Sequence, residues 1–330
     1  MAGGRQSAVL AAVIGNGILI GVKGAAFLLS GSGAMLSEAI HSVADTTNQL
    51  LLYLGVRRSA RGADEQFPYG YGAERYLFAL ISAVGIFILG AGVTVYHGVH
   101  SLLVPPELTV SWIDYAVLAA AGLIEGFVLL RAAREVAAGK GSQSFLEYLK
   151  SATDPTVLAV LFEDSVAVAG VVVAGSGIAL SAATGSPIYD SVGSIVIGLL
   201  LAAVAVWLGL KNRDLILGRS IPPHLREQAV ALIMSQPSVV RVQDVKTLVI
   251  GADRFKFKAE VDFDGGYIGR KLLPWVRENL PEAGDEAAAE AFAAEFGDQV
   301  VQALADEIDR IEGELAPTFP RLHHVDLEAD

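Results

Sequence analysis

The stretch YLFALISAVGIFILGAGVTVYHGVHSLL, residues 76–103, runs for 28 residues without an aspartate, glutamate, lysine or arginine. A helix needs about 20 predominantly apolar residues to cross the hydrocarbon core of a bilayer, so this stretch predicts a membrane-spanning helix. The composition of the whole chain supports that prediction. Its mean hydropathy is +0.49, and 18% of its 330 residues are charged, whereas a soluble domain has about 25%.

Five further stretches share this apolar character. Together the six predict a transmembrane domain over residues 1–210, with spans at about 7–29, 33–56, 76–103, 111–133, 155–182 and 188–210. Lysine and arginine occur before the first span, in the second and fourth connections and after the last span, and the other three connections contain neither. Because cytoplasmic loops are enriched in these residues, both termini are expected in the cytoplasm.

Residues 211–330 have a different composition, with 14 Lys/Arg and 22 Asp/Glu against 10 and 14 in residues 1–210. An amphipathic helix is followed by two alternating strands joined at Gly-Ala-Asp, a long helix over about 286–315, and a last strand in RLHHVDLEAD. The order α-β-β-α-β predicts a small ferredoxin-like α/β domain, which the topology places in the cytoplasm. The Asp/Glu-rich long helix is expected to present a solvated face.

Composition also excludes some classes of site. The chain has no cysteine, which rules out disulfides and thiolate metal sites. Its net charge of −12 argues against nucleic acid as a partner.

The second span contains SEAIHSVADTTNQ, residues 37–49, in which His41 and Asp45 are four residues apart and share one helix face. Glu163 and Asp164 lie near the middle of the fifth span. Ionisable groups at this depth are costly unless paired, hydrated or metal-bound, so they indicate function. One imidazole with two or three carboxylates suits zinc, manganese, iron or cobalt. The other interpretation is a hydrogen-bonded histidine with paired acids that pack two helices together.

Other charged residues near or within the spans have simpler interpretations. Asp154 precedes a proline and predicts a helix N-cap. Asp114 and Asp190 fall in first turns, where a carboxylate suits the helix dipole. Lys23 is expected to snorkel or to pair with a neighbouring carboxylate. Glu125, nearer the middle of the fourth span, has no such explanation and its role stays open.

The HxxxD pattern of the second span, the acid of the fifth, the six spans and the α/β tail together resemble the cation diffusion facilitator family of zinc transporters. The chain is similar to the branch that includes the mitochondrial zinc transporter of animals in four segments: SEAIHSVADTTNQLLLYLG (37–55), FPYGYGAERY (67–76), AVGIFILGAGVTVYHGV (83–99) and DPTVLAVLFEDSVAV (154–168). The resemblance implies a secondary active transporter rather than an enzyme. It would export Zn²⁺ by alternating access in exchange for H⁺, as a homodimer in the lipid bilayer, with no permanently bound cofactor.

The resemblance also implies a tetrahedral site with two ligands on the second span and two on the fifth. His41 and Asp45 match the first pair, and Asp164 matches one ligand of the second. Val160, four residues before Asp164, cannot bind a metal. Glu163 is a candidate fourth ligand, although it lies about 100° round the helix from Asp164. The other candidates are water, Asn16 and Asn48.

Weaker metal candidates lie outside the spans. Asp64 is in the loop where the family has further ligands. His324 and Asp326 are two apart on the last strand and share a face, with a solvated strand end as the alternative.

Several questions about the substrate, the function and the membrane stay open at this point. The metal could be Cd²⁺, Mn²⁺, Fe²⁺ or Co²⁺ instead of Zn²⁺, because these ions share ligands. A non-transporting membrane scaffold is the alternative function, and an intramembrane aspartyl hydrolase is disfavoured because neither aspartate has a GxGD-like segment around it. The lack of an Arg/Ser-rich leader favours a bacterial plasma (inner) membrane.

Overall fold

The computed structural model describes residues 17–18, 20–25, 28, 33–105, 112–140, 143–282 and 285–330, with the side chains of 33–41, 113–114, 150–151 and 155 left out. Most of the predicted first span, Asn16, and the side chains of His41 and Asp114 therefore lie outside the described part. The chain divides into two compact units, Met1–Leu217 and Gly218–Asp330.

Long helices build the described part of the first unit. The second to sixth spans are, in order, Gly33–Ser59, Glu74–Leu103, Trp112–Lys140, Pro155–Thr184 and Ile188–Ile216. Helical residues also occur at 17–18, 20–25 and 28, within the predicted first span. Among the described residues, the third to sixth spans each contain a helix long and apolar enough to cross a membrane. The predicted class, a polytopic helical membrane protein with a small C-terminal α/β domain, is confirmed.

Local sequence explains where the fifth span begins and ends. The Asp154 side chain accepts a hydrogen bond from the Thr156 backbone N–H at 3.0 Å, and proline occupies the first helical turn, so the predicted N-cap is confirmed. Gly185 ends the helix with φ +70°, a left-handed conformation in which glycine has no steric cost. A short helix before this span, Phe145–Ser151, begins with a capping box between Ser144 and Glu147 that the sequence analysis did not predict.

Glycines allow the third and sixth spans to approach closely. A Cβ atom on Gly98 would lie 2.9 Å from the Ser191 carbonyl oxygen, and one on Gly198 would lie 3.2 Å from that of Ala91. The pair of spans is therefore held by backbone proximity as well as by side-chain packing.

The third span contains a π-helical segment, Ile86–Gly92, between its two α-helical parts.

Four spans share one apolar cluster. Leu52 of the second span, Ala159 of the fifth and Leu208 of the sixth pack together with Ala79 and Ala83 of the third. All five residues are buried. This cluster includes residues of the second and fifth spans, which are the two helices that carry the predicted metal ligands.

The second unit is built around a three-stranded sheet in the order β1 (Val239–Gly251), β2 (Arg254–Phe263), β3 (Leu322–Ala329). β1 and β2 are antiparallel, whereas β2 and β3 are parallel and are connected through the long helix. The helices of this unit are Pro223–Met234, Gly265–Lys271, Leu273–Asn279 and Glu286–Thr318.

The predicted alternation of β2 is confirmed, because Phe255, Phe257, Ala259 and Val261 are all fully buried. The long helix departs from the expected solvated face at one position. Glu307 is 0% exposed, and it is bound by Lys271 and by Arg310 at 2.6 Å. The acidic composition of the helix does not reveal that Glu307 is buried, because this depends on the two cations that bind it. Lys271 comes from a separate helix, and Arg310 comes from the next turn of the same helix.

Candidate metal site

The second and fifth spans change from apolar to polar contact within one helical turn. Leu52 and Ala159 belong to the shared apolar cluster. Four residues earlier on the second span, Asn48 donates a hydrogen bond from Nδ2 to Oε2 of Glu163, which is four residues later on the fifth. Since residues four apart share a helix face, one antiparallel register of the two helices accounts for both the shared cluster and the hydrogen bond.

Three carboxylates on the two spans interact through space. The charge of Asp45 acts on both Glu163 and Asp164, so the acids of the second and fifth spans form one electrostatic cluster. The hydrogen bond from Asn48 links Glu163 to the second span, although Glu163 lies about 100° round its own helix from Asp164. Val160 instead packs against a cluster formed by Ala132 and its neighbours.

Several oxygens of this cluster are buried without a hydrogen-bond partner among the described residues: Oε1 of Glu163, Oδ2 of Asp164 and Oδ1 of Asn48. An unsatisfied buried carboxylate oxygen is expensive, and a cation is one of the few groups that can satisfy it. The oxygen donors fit a divalent metal passing through as substrate.

Asn48 was one of several candidates in the sequence, and its position three residues after Asp45 is the signal that places it on this face.

His41 lies in the second-span helix one turn before Asp45, and its side chain is outside the described residues. Among the side chains that are described, no group of three histidines, aspartates or glutamates is close enough to hold a metal ion. The proposed ligand set of His41, Asp45, Asp164 and Glu163 therefore stays a prediction, supported by the register of the two helices.

Asp64, the weaker candidate in the loop, is engaged in the structure of that loop. It accepts hydrogen bonds from the Tyr71 hydroxyl at 2.7 Å and from the backbone N–H groups of Phe67 and Gln66 at 2.8 and 3.1 Å. These bonds, that from Tyr71 first, lower the pKa of Asp64. Its oxygens organise the turn, and the structure adds no support for metal binding there.

The C-terminal candidates lie beside a lysine. His324 is opposite Lys256 in the β2–β3 register, and the Lys256 ammonium binds the Asp326 carboxylate at 2.8 Å. A metal would have to displace this ammonium to use Asp326. The pair stays a prediction without structural support.

Two charged residues outside the predicted ligand set meet within the membrane domain. Lys23 is 0% exposed and its Nζ lies 3.6 Å from Oε1 of Glu125, which is 9% exposed. Of the two interpretations of Lys23, the structure shows pairing with a carboxylate. The charge of Glu125 also acts on Asp164.

Long apolar helices that carry buried acidic side chains, with a small α/β domain later in the chain, define a polytopic helical membrane protein. Residues 9–217 match the family model of the cation efflux transmembrane domain. The chain therefore belongs to the cation efflux family, also called cation diffusion facilitators, as the sequence motifs predicted, and it is an integral membrane protein.

Relatives extend this result over nearly the whole chain. The protein named proton-coupled zinc antiporter SLC30A9, mitochondrial, of Mus musculus is 40% identical over 334 residues, which cover 98% of this chain and 59% of the relative. Metal tolerance protein C4 of Arabidopsis thaliana is 36% identical, with 98% and 73% covered. Magnetosome protein MamB of Paramagnetospirillum magneticum is 24% identical, with 80% and 86% covered. The chain thus spans somewhat more than half the length of the SLC30A9 relative.

Proposed function

We propose that this protein is a Zn²⁺ efflux transporter that works by alternating access and exchanges the metal for protons. The observation that carries the proposal is the electrostatic cluster of Asp45, Glu163 and Asp164 inside the membrane domain, in which buried oxygens of Glu163 and Asp164 have no hydrogen-bond partner among the described residues. Carboxylates in an apolar region, which lose their protons when they bind a metal, create a site for a cation that must leave water.

The metal would be held between the second and fifth spans by His41, Asp45, Asp164 and Glu163. One imidazole nitrogen and carboxylate oxygens match the donors of tetrahedral Zn²⁺ sites. Asn48 supports the fourth position by directing Glu163 toward the second span. The name of the SLC30A9 relative gives zinc as the substrate of that protein. For the present chain, Cd²⁺, Mn²⁺, Fe²⁺ and Co²⁺ are the competing substrates.

Proton exchange follows from the same ligands. Imidazole and carboxylate must be deprotonated to bind a metal, so loading releases protons and protonation favours release. His41, with an ordinary pKa near 6.5, is the ligand that suits this exchange at working pH. Antiport with protons is also part of the name of the SLC30A9 relative.

We propose a homodimer with both termini in the cytoplasm and with a transport domain over residues 1–210 and a cytoplasmic domain over 211–330. The membrane is proposed to be a bacterial plasma membrane. The name of the SLC30A9 relative places that protein in mitochondria, so fractionation of the native cells decides this point. Cross-linking of the purified protein decides the oligomeric state.

The direct test is metal flux into proteoliposomes that contain a metal-sensitive dye, with Zn²⁺, Cd²⁺, Mn²⁺ and Fe²⁺ tested in turn. His41→Ala, Asp45→Ala and Asp164→Ala should each fold and each abolish Zn²⁺ flux. Glu65→Ala, which removes an exposed loop carboxylate, should retain it.

A second comparison addresses the fourth ligand. Glu163→Gln keeps the shape of the side chain and removes its charge, so it should lower zinc affinity if Glu163 binds the metal. Normal flux in all three alanine variants would remove the proposed site. Folded wild-type protein that moves no metal would favour the scaffold function instead.

A further inference from the structure

Lys23 and Glu125 are a buried ion pair that the proposed ligand set does not use. Their charged atoms are 3.6 Å apart, and the side chains are 0% and 11% exposed. Two charges held out of water carry a large desolvation cost, and replacing such a pair by apolar residues often leaves a protein equally stable. Stability alone is thus a weak explanation for a charged pair inside a membrane.

The packing of the fourth and fifth spans locates Glu125 relative to the metal site. Gly122 packs against Val171, with an added Cβ 3.1 Å from the valine side chain, and Ala132 packs with Leu161. The two helices therefore run antiparallel, and Glu125 falls between these contacts. This register places it beside the turn of the fifth span that follows Asp164.

Glu125 is the member of the pair with a known influence on the metal site. Its charge, like that of Asp45, acts on Asp164. A cation at Asp164 would therefore experience the attraction of Glu125.

We propose that Lys23 and Glu125 form a charge-balancing pair, with its negative end toward the transport site, that sets the affinity of this site for its cation. Glu125 attracts the metal through space without binding it, and Lys23 keeps Glu125 ionised and in place. Both are positioning residues, and the inference rests on the proposed function. It assigns a role to Glu125, which the sequence left open, and to the lysine of the first span.

The test measures Zn²⁺ flux in proteoliposomes as KM and maximal rate, and Zn²⁺ binding to the detergent-solubilised full chain with a competing dye. The variants are Glu125→Gln, Lys23→Met, the double variant, and the reversed pair Lys23→Glu/Glu125→Lys. Glu135→Gln is the control, because it removes the same charge from an exposed position of the same helix.

The direction of each change is diagnostic. Glu125→Gln should raise the KM and the dissociation constant about tenfold, because it removes an attractive charge and leaves Lys23 unbalanced. Lys23→Met and the double variant should each raise them less than Glu125→Gln does, because each removes the repulsion of Lys23 together with the attraction of an ionised Glu125. The reversed pair should raise the KM although an ion pair is retained, because its positive end now faces the metal site.

The outcomes separate this inference from the proposed function. An unchanged KM in Glu125→Gln and in the reversed pair, with any loss confined to the yield or melting temperature of the protein, would show a purely structural pair and overturn the inference. Wild-type protein that neither binds nor transports a metal would overturn the proposed function, and the inference with it. Equal effects of Glu125→Gln and Glu135→Gln would also overturn it.

Discussion

Glu307 should be the most sensitive carboxylate of the C-terminal domain to substitution. Its hydrogen bonds with Arg310 and with Lys271 lower its pKa from 4.5 to about 2, and its side chain is 0% exposed. At about 1.4 kcal/mol per pKa unit, this difference corresponds to about 3 kcal/mol of folding free energy. Both cations are more than a third exposed. Solvent screening therefore reduces the expected loss in Glu307→Gln to about 2 kcal/mol.

The pH dependence has a definite sign. Because the folded pKa lies below the ordinary one, the carboxylate contributes its full stability above pH 4.5 and loses it as the pH falls from 4.5 to about 2. Wild type and Glu307→Gln should therefore differ at pH 7 and become similar near pH 2.

The assay is urea unfolding of the full chain in detergent, followed by the fluorescence of Trp275. This residue stacks on Phe292 at 5.5 Å in the C-terminal domain. Trp112 and Trp207 are replaced by phenylalanine so that the signal reports this domain. Glu295→Gln is the matched control, since it removes an exposed carboxylate from the same helix. If Glu307→Gln lowers the urea midpoint no more than the control does, the reasoning about the buried carboxylate is refuted.

Two further pairs of substitutions test contacts within the membrane domain. Gly98→Ala should destabilise the protein by about 1–3 kcal/mol, because the new methyl group meets the Ser191 carbonyl oxygen at 2.9 Å. Gly85→Ala, with open space around it, should be tolerated in the same melting experiment in detergent, and equal melting temperatures would contradict this account of the third and sixth spans. Asp154→Asn should keep the N-cap but lose the ion pair with Arg75 at 2.9 Å, whereas Asp154→Ala loses both. Hydrogen exchange at residues 156–159 should therefore increase more in the alanine variant, and equal exchange in the two would show that the cap contributes nothing.

The sequence was sufficient for features that repeat along one element. Residues 76–103 contain no charged side chain that would have to remain outside a bilayer, so this span could be predicted from composition. The alternation from Phe255 to Val261 likewise follows from the two-residue period of a strand with one buried face. Asp154 predicted a helix start because capping depends on residues adjacent in the chain.

Contacts between distant segments were harder to predict. The bond from Asn48 to Glu163 joins residues 115 positions apart, and it depends on how two helices are aligned. The burial of Glu307 has a similar origin, since Lys271 comes from a different helix. The candidate site was predictable as a set of ionisable residues on two spans, but the choice of which oxygens face each other requires the packed helices.

The π-helical segment at Ile86–Gly92 sets the rotational phase of the second half of the third span. A π turn accommodates one more residue than an α turn, so everything after it is rotated by about 100° relative to an uninterrupted helix. Gly98 lies six residues beyond the segment and faces the Ser191 carbonyl with this phase. Deletion of one residue from the segment would leave the span long enough for the bilayer, yet it would turn Gly98 away from the sixth span and bring a bulkier side chain to that contact. Helix length and helix phase are thus separate constraints on this span, and the π turn satisfies the second.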